Sequence, residues 1–152
     1  MEQPKLKFVF EISIQVGSVR EVGETGKGLR KIVPITSGSF EGPHIKGIVI
    51  PGGYDWQLLR NDDVSEIDAR YVLQTDEGTL ITIVNKGLRH GHAAVMKRIA
   101  MGEDVKADEY YFRSVPVFET GEKKYEWLVK NVFIAIGTKK PDKVLIAVWQ
   151  VL

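Results

Sequence analysis

Residues 6–16 read LKFVFEISIQV, and their alternation constrains the fold more than any other feature of the chain. Leu6, Phe8, Phe10, Ile12, Ile14 and Val16 are apolar, while Lys7, Glu11, Ser13 and Gln15 stand between them and Val9 is the one exception. Successive side chains of a strand point to opposite faces, so a period of two over this length specifies a strand with one buried face. A helix would scatter the same apolar residues around its axis.

The pattern recurs. Residues 65–75 (SEIDARYVLQT) place Ile67, Ala69, Tyr71 and Leu73 on one face and Glu66, Asp68, Arg70 and Gln74 on the other. DEG at 76–78 predicts a hairpin into the β-branched run TLITIVNK at 79–86. Residues 30–41, 45–53, 54–60, 109–120, 131–138 and 143–152 also read as extended, with breaks at Gly42-Pro43, Pro51-Gly52-Gly53, Asn61-Asp62-Asp63 and KKPD at 139–142. Residues 18–29 read as a loop or a bent strand opening, and Pro34 and Pro116 as marks of edges, bulges or kinks. Residues 92–101 are the helix candidate, with Val95, Met96, Ile99 and Ala100 as a stripe and Gly102 as the stop; 125–130 is ambiguous, with room for one helical turn. The sum is eight to ten strands and one short helix with no strand–helix rhythm, which excludes a parallel α/β sheet. The predicted class is all-β, as a closed antiparallel β-barrel, with a sandwich as the competing arrangement.

A chain of 152 residues is one domain, 1–152, large enough to bury a core without staples. It has no cysteine, which removes disulfides, thiolate nucleophiles and cysteine-based metal sites and fits a cytoplasmic location. Lys plus Arg number 21 against 20 for Asp plus Glu, a balance that argues against a strong non-specific nucleic-acid binder. No apolar run is long enough for a membrane-spanning helix or an unbroken signal core.

GLRKIVPITSGSFEGP (28–43), IKGIVIPGGYDWQLLR (45–60), DARYVLQTDEG (68–78), EYYFRSVPVFETG (109–121) and YEWLVKNVFIAIG (125–137) together resemble a family of small bacterial and fungal proteins known as DUF3237, or UPF0311. The stretches cover nearly the whole chain in the family's order. PGG followed by DW, and the YFR…FETG run, are the distinctive pieces; Val129-Lys130 stand where the family usually carries an asparagine, with Asn131 nearby. The resemblance implies an antiparallel β-barrel that forms homodimers or higher homo-oligomers, with no settled reaction.

The residues themselves point to a small-molecule site. Asp68 and Arg70 share a strand face, as do Arg113 and Glu119. If a barrel brings these strands together, a guanidinium fork holds a carboxylate or enolate oxygen and a carboxylate serves as acid or base. Asp68, Glu119, Arg70 and Arg113 are thus the catalytic candidates for a cofactor-free isomerase or lyase. Asp55, Trp56, Trp127 and His90 are the ligand-binding candidates. Other readings stand beside these. Asp68 and Arg70 lie opposite the apolar face of their strand, as surface residues would; Arg113 and Glu119 suit a buried pair tying a kinked strand. Asp55 suits a turn after the glycines, and the tryptophans suit the core. His90 and His92 lack the third ligand of a catalytic zinc, so neither metal nor cofactor is expected. GETGKG (23–28) and SGSFEG (37–42) match neither a phosphate loop nor a nucleophile elbow. The competing functions are a non-catalytic carrier or sensor, and an oligomeric interaction protein with a filled barrel and an apolar outer patch.

Overall fold

Nine antiparallel strands form one continuous sheet in the computed structural model, which describes residues 1–152. They are β1 (Leu6–Val16), β2 (Arg20–Thr25), β3 (Gly28–Glu41), β4 (Lys46–Leu59), β5 (Ser65–Thr75), β6 (Leu80–His90), β7 (Tyr111–Glu119), β8 (Phe133–Lys139) and β9 (Val144–Val151). The spatial order is β1-β9-β8-β7-β6-β5-β4-β3-β2, and β1 also pairs with β3. That pairing closes eight strands into a barrel and leaves β2 as an extra strand on β3. Helix α1 (Ala93–Ala100) follows β6, and a short helix α2 (Glu126–Val129) lies between β7 and β8.

Strand parity decides what fills the barrel. Phe10, Ile12 and Ile14 of β1 face inward with Ile67, Ala69, Tyr71 and Leu73 of β5, Ile81 and Ile83 of β6, and Ile146 and Val148 of β9. Phe10 is the hub of an aromatic set. Its ring meets Phe40 and Phe118 edge-on at 5.7 Å each, and Phe118 meets Phe133 at 5.2 Å. These contacts plug the end of the barrel that carries α2.

Two local expectations are corrected, at the Pro51-Gly52-Gly53 break and at the end of β6. The Pro51-Gly52-Gly53 break does not end a strand: β4 runs through it as a bulge. Ile50 faces Val72 and Tyr54 faces Arg70, so three residues of β4 stand opposite Tyr71 alone. Gly52 takes φ 109°, and a Cβ on Gly53 would lie 2.5 Å from the Tyr71 Cβ, so this bulge needs both glycines. Of the two readings of residues 18–29 the strand holds, as β2, and the 125–130 segment contains the one helical turn it had room for, α2. Strand β6 also continues four residues past Lys86 to His90. Pro116 behaves as an edge marker. The β7–β8 ladder holds only Arg113↔Ile136 and Ser114↔Ala135, stopping two residues before Pro116, and α2 covers the opening with buried Leu128.

Candidate functional site

The parity that fills the barrel puts Asp68 and Arg113 on its outer wall. Their neighbours Ile67, Ala69, Phe112 and Ser114 are the buried ones. On that outer wall lies a concavity of about 1040 Å³. Asp68 and Glu66 of β5, Lys86 and Leu88 of β6, and Tyr111 and Arg113 of β7 line its centre. Ile134 and Ile136 of β8 with Trp149 of β9 form one side, and Trp56 of β4 with Arg30 of β3 the other. Arg113 is fixed in place: Nη1 donates to the Phe112 carbonyl at 3.0 Å, and the guanidinium lies 5.2 Å from the Tyr111 ring centre. Arg30 Nη1 donates to the Trp56 carbonyl at 3.3 Å. Three cations, two carboxylates and three aromatic rings thus border one hollow, and the Asp68 Oδ1 in it has no hydrogen-bond partner. Asp68 and Arg113 stand two strands apart and two residues out of register, about 12 Å by strand geometry, the span of a small organic molecule.

The other candidates are placed elsewhere. Arg70 reaches Asp68 with Nε at 3.5 Å, yet its side chain borders a different, shallower groove beside the β4 bulge. Glu119 is exposed at the far end of β7, six residues from Arg113, and no ion pair joins the two. The four charged groups therefore do not meet inside the barrel. Trp127 is packed against the core on α2, 6.2 Å from the Phe133 ring, at the opposite end from Trp56. His90 is an exposed ring stacked on Tyr111 at 4.9 Å, next to the concavity but not lining it.

Asp55 is neither a turn residue nor a wall of the concavity. Strand β4 aims it inward, opposite Val33 and Ala69. The β4–β5 ladder has no paired residues between Asp55↔Ala69 and Leu58↔Glu66. In that interruption Asp55 Oδ1 accepts the Asp68 backbone N–H at 3.2 Å, and Oδ2 accepts Gln57 Nε2 at 2.8 Å. Burial raises its carboxyl above the usual range, and those two hydrogen bonds oppose the shift in part. Around it sit Tyr71, Asn85, Arg89 and Ser114, all inward-facing. Burial lowers the Arg89 guanidinium, with attraction from Asp55 opposing it, and burial pushes the Tyr71 hydroxyl up. Sequence reasoning missed Arg89 because it ended β6 at Lys86, and it passed over Asn85 inside the predicted strand as one polar residue in a β-branched run. The signal was there: Ile81, Ile83, Asn85, Gly87 and Arg89 continue one parity.

The fold and site define a class: an eight-stranded antiparallel β-barrel with a filled interior, a polar patch at one inner end, and an aromatic-walled, charge-bearing hollow on its outer wall. The family described as "Protein of unknown function (DUF3237)" matches residues 4–151, and the chain belongs to that family. A UPF0311 protein of Rhodopseudomonas palustris is 39% identical over 146 residues, covering 96% of this chain and 95% of its own. The crystal structure of a conserved protein of unknown function from the same species superposes with a TM-score of 0.95 at 37% identity, covering 100% of both chains. A β-barrel-like protein from Acinetobacter baumannii gives a TM-score of 0.86 at 36% identity, covering 100% of this chain and 98% of its own. No helix of the chain is long and apolar enough to cross a membrane.

Proposed function

We propose that this protein binds a small, partly apolar organic molecule bearing a carboxylate or carbonyl group in the outer concavity, and acts on it as a cofactor-free isomerase or lyase. The observation that carries the reading is the convergence of Trp56, Asp68 and Arg113, from three strands, on one hollow of ligand size. Trp56 and Trp149 cover the apolar body. The Arg113 fork, braced by the Phe112 carbonyl and the Tyr111 ring, takes the oxygen. The Asp68 Oδ1, which makes no hydrogen bond and has the Arg70 Nε 3.5 Å away, accepts a proton from the carbon beside the carbonyl, and the oxyanion that develops lies against Arg113. Returning the proton to another carbon completes an isomerisation; expelling a group from the next carbon completes an elimination.

A thermal-shift screen of small carboxylic acids and ketones on wild type and Arg113→Ala tests the binding. A ligand at a hundredfold its Kd stabilises by about 2.7 kcal/mol, and that gain should vanish in the variant. Equal shifts in both proteins for ligands that carry an apolar body, acetate being left out of the screen, would overturn the site. For a bound ketone, solvent-deuterium incorporation followed by proton NMR should stop in Asp68→Asn.

A second reading has its own support. Leu88, Val115, Val117 and Ile134 are 40%, 50%, 63% and 36% exposed on adjacent outer strand faces. This apolar surface suits contact with another copy of the chain, as a homodimer or larger homo-oligomer.

A further inference from the structure

The barrel interior holds an excess of hydrogen-bond donors that the outer concavity does not use. Arg89 enters from β6, and its guanidinium lies 5.4 Å from the centre of the Phe112 ring. Its Nε is buried with no partner, and no carboxylate lies within the 4.0 Å of an ion pair. Asp55 is near enough to attract it, but both Asp55 oxygens are already engaged, by Gln57 and by the Asp68 N–H. The hydroxyls of Tyr71 and Ser114 are buried without partners as well, beside one unpartnered acceptor, the Asn85 Oδ1.

A second cation faces the same region. Lys139 has the inward parity of Ala135 and Gly137 on β8 and stands one layer nearer the mouth than Arg89's row. Its Nζ reaches only the Lys140 carbonyl, at 2.6 Å. The Tyr110 hydroxyl accepts the Lys139 backbone N–H at 2.8 Å and so anchors this end of β8 over the mouth. Burial and the proximity of Arg89 both disfavour the charge on Lys139, and Asp142 offsets them only in part. Two like charges held together in a poorly hydrated space repel strongly unless a counter-charge sits with them. Solvent reaches this end, because Gln57, Arg89 and Lys139 keep partial exposure while Asn85 and Ser114, deeper in, are 2% and 3% exposed.

We infer that the barrel mouth beside Arg89 and Lys139 is a binding site for a small oxyanion, a carboxylate or a phosphate, distinct from the outer concavity. Arg89 supplies a planar fork backed by Phe112, and Lys139 supplies a point charge on the solvent side. The site lies on the inner side of the wall from Arg113, so it stands or falls independently of the proposed function.

The test uses the full chain and titrates acetate and inorganic phosphate separately, each against chloride at matched ionic strength, by thermal shift and calorimetry. Wild type should show saturable stabilisation beyond chloride, and the more effective anion names the class. Arg89→Gln and Lys139→Gln should each weaken binding at least tenfold, with folding checked by circular dichroism, and Arg113→Ala should bind as wild type does. Lys139→Gln changes a partly exposed side chain and decides the matter alone if Arg89→Gln does not fold. No effect beyond chloride, undiminished binding in Lys139→Gln, or a loss confined to Arg113→Ala would each overturn the inference.

Discussion

Gly137 is the residue whose substitution most directly tests how the barrel interior positions Arg89. A Cβ built on Gly137 would lie 2.6 Å from three atoms of the Phe112 ring. Ordinary carbon contacts begin near 3.5 Å, so the ring would have to retreat by nearly an ångström. Phe112 is 3% exposed, and the Arg89 guanidinium occupies its neighbourhood 5.4 Å from the ring centre. Overpacking of this kind costs about 1–3 kcal/mol. Replacing glycine where φ is unstrained returns roughly 0.4–1 kcal/mol through the unfolded chain. Three ring clashes place Gly137→Ala in the upper part of the overpacking range, about 2–3 kcal/mol, and the return leaves a net destabilisation of about 1–2.6 kcal/mol. For a chain of this length that is a fall in Tm of roughly 2–10 °C. Urea and thermal unfolding, followed by circular dichroism, measure it. Phe112→Leu alone also destabilises by removing ring contacts, but in the double variant the smaller side chain makes room for the alanine methyl. The cycle should show a favourable coupling of about 1 kcal/mol. Additive losses, or a Gly137→Ala protein as stable as wild type, would refute the claim that Gly137 exists to seat the Phe112 ring.

Burial raises the Asp55 carboxyl above 3.8, so the folded state holds that proton more tightly than the unfolded chain; its contribution is most favourable at low pH and declines as pH rises from about 4 through the folded value. Asp55→Asn removes this decline but keeps an acceptor for only one of two donors, so it should be less stable at pH 4 and recover relative to wild type toward pH 7 in urea melts; parallel pH curves would show that Asp55 is not desolvated. If copies associate through the exposed face of β6–β8, Val117→Lys should shift the light-scattering mass toward monomer while leaving the circular dichroism spectrum unchanged; an unchanged mass would remove that face as the interface.

Much of the architecture was legible from the chain because strand geometry writes itself at short range. The alternation in residues 6–16 and 65–75 identified β1 and β5 and assigned the buried face of β5 and of β1 from Phe10 onward. Ahead of Phe10 it failed, because a bulge between Phe8 and Phe10 reverses the parity, leaving Leu6 and Phe8 51% and 41% exposed and burying Val9. The same parity placed Asp68 and Arg70 on the side away from the core, and there the structure has them. Where the reading failed, the missing information was tertiary. Pro51-Gly52-Gly53 looks like a terminus locally, yet pairing with β3 and β5 on both sides carries β4 through it. His90 reads as loop, yet pairing with Tyr111 keeps it in β6. Glu119 and Arg113 share parity, but six residues along an extended strand is roughly 20 Å, and no closure of the barrel shortens it.

By itself the sequence determined an all-β fold, free of cysteine chemistry, with the inward and outward members of β5 and of β1 from Phe10 onward already sorted, because a period of two is a property of neighbours along the backbone. Tertiary structure alone decided which outward residues from β3 to β9 share a hollow, and that Arg89, Lys139 and Asp55 converge inside the mouth. Those meetings depend on the order and stagger of strands tens of residues apart, which closure of the barrel sets and no local pattern encodes.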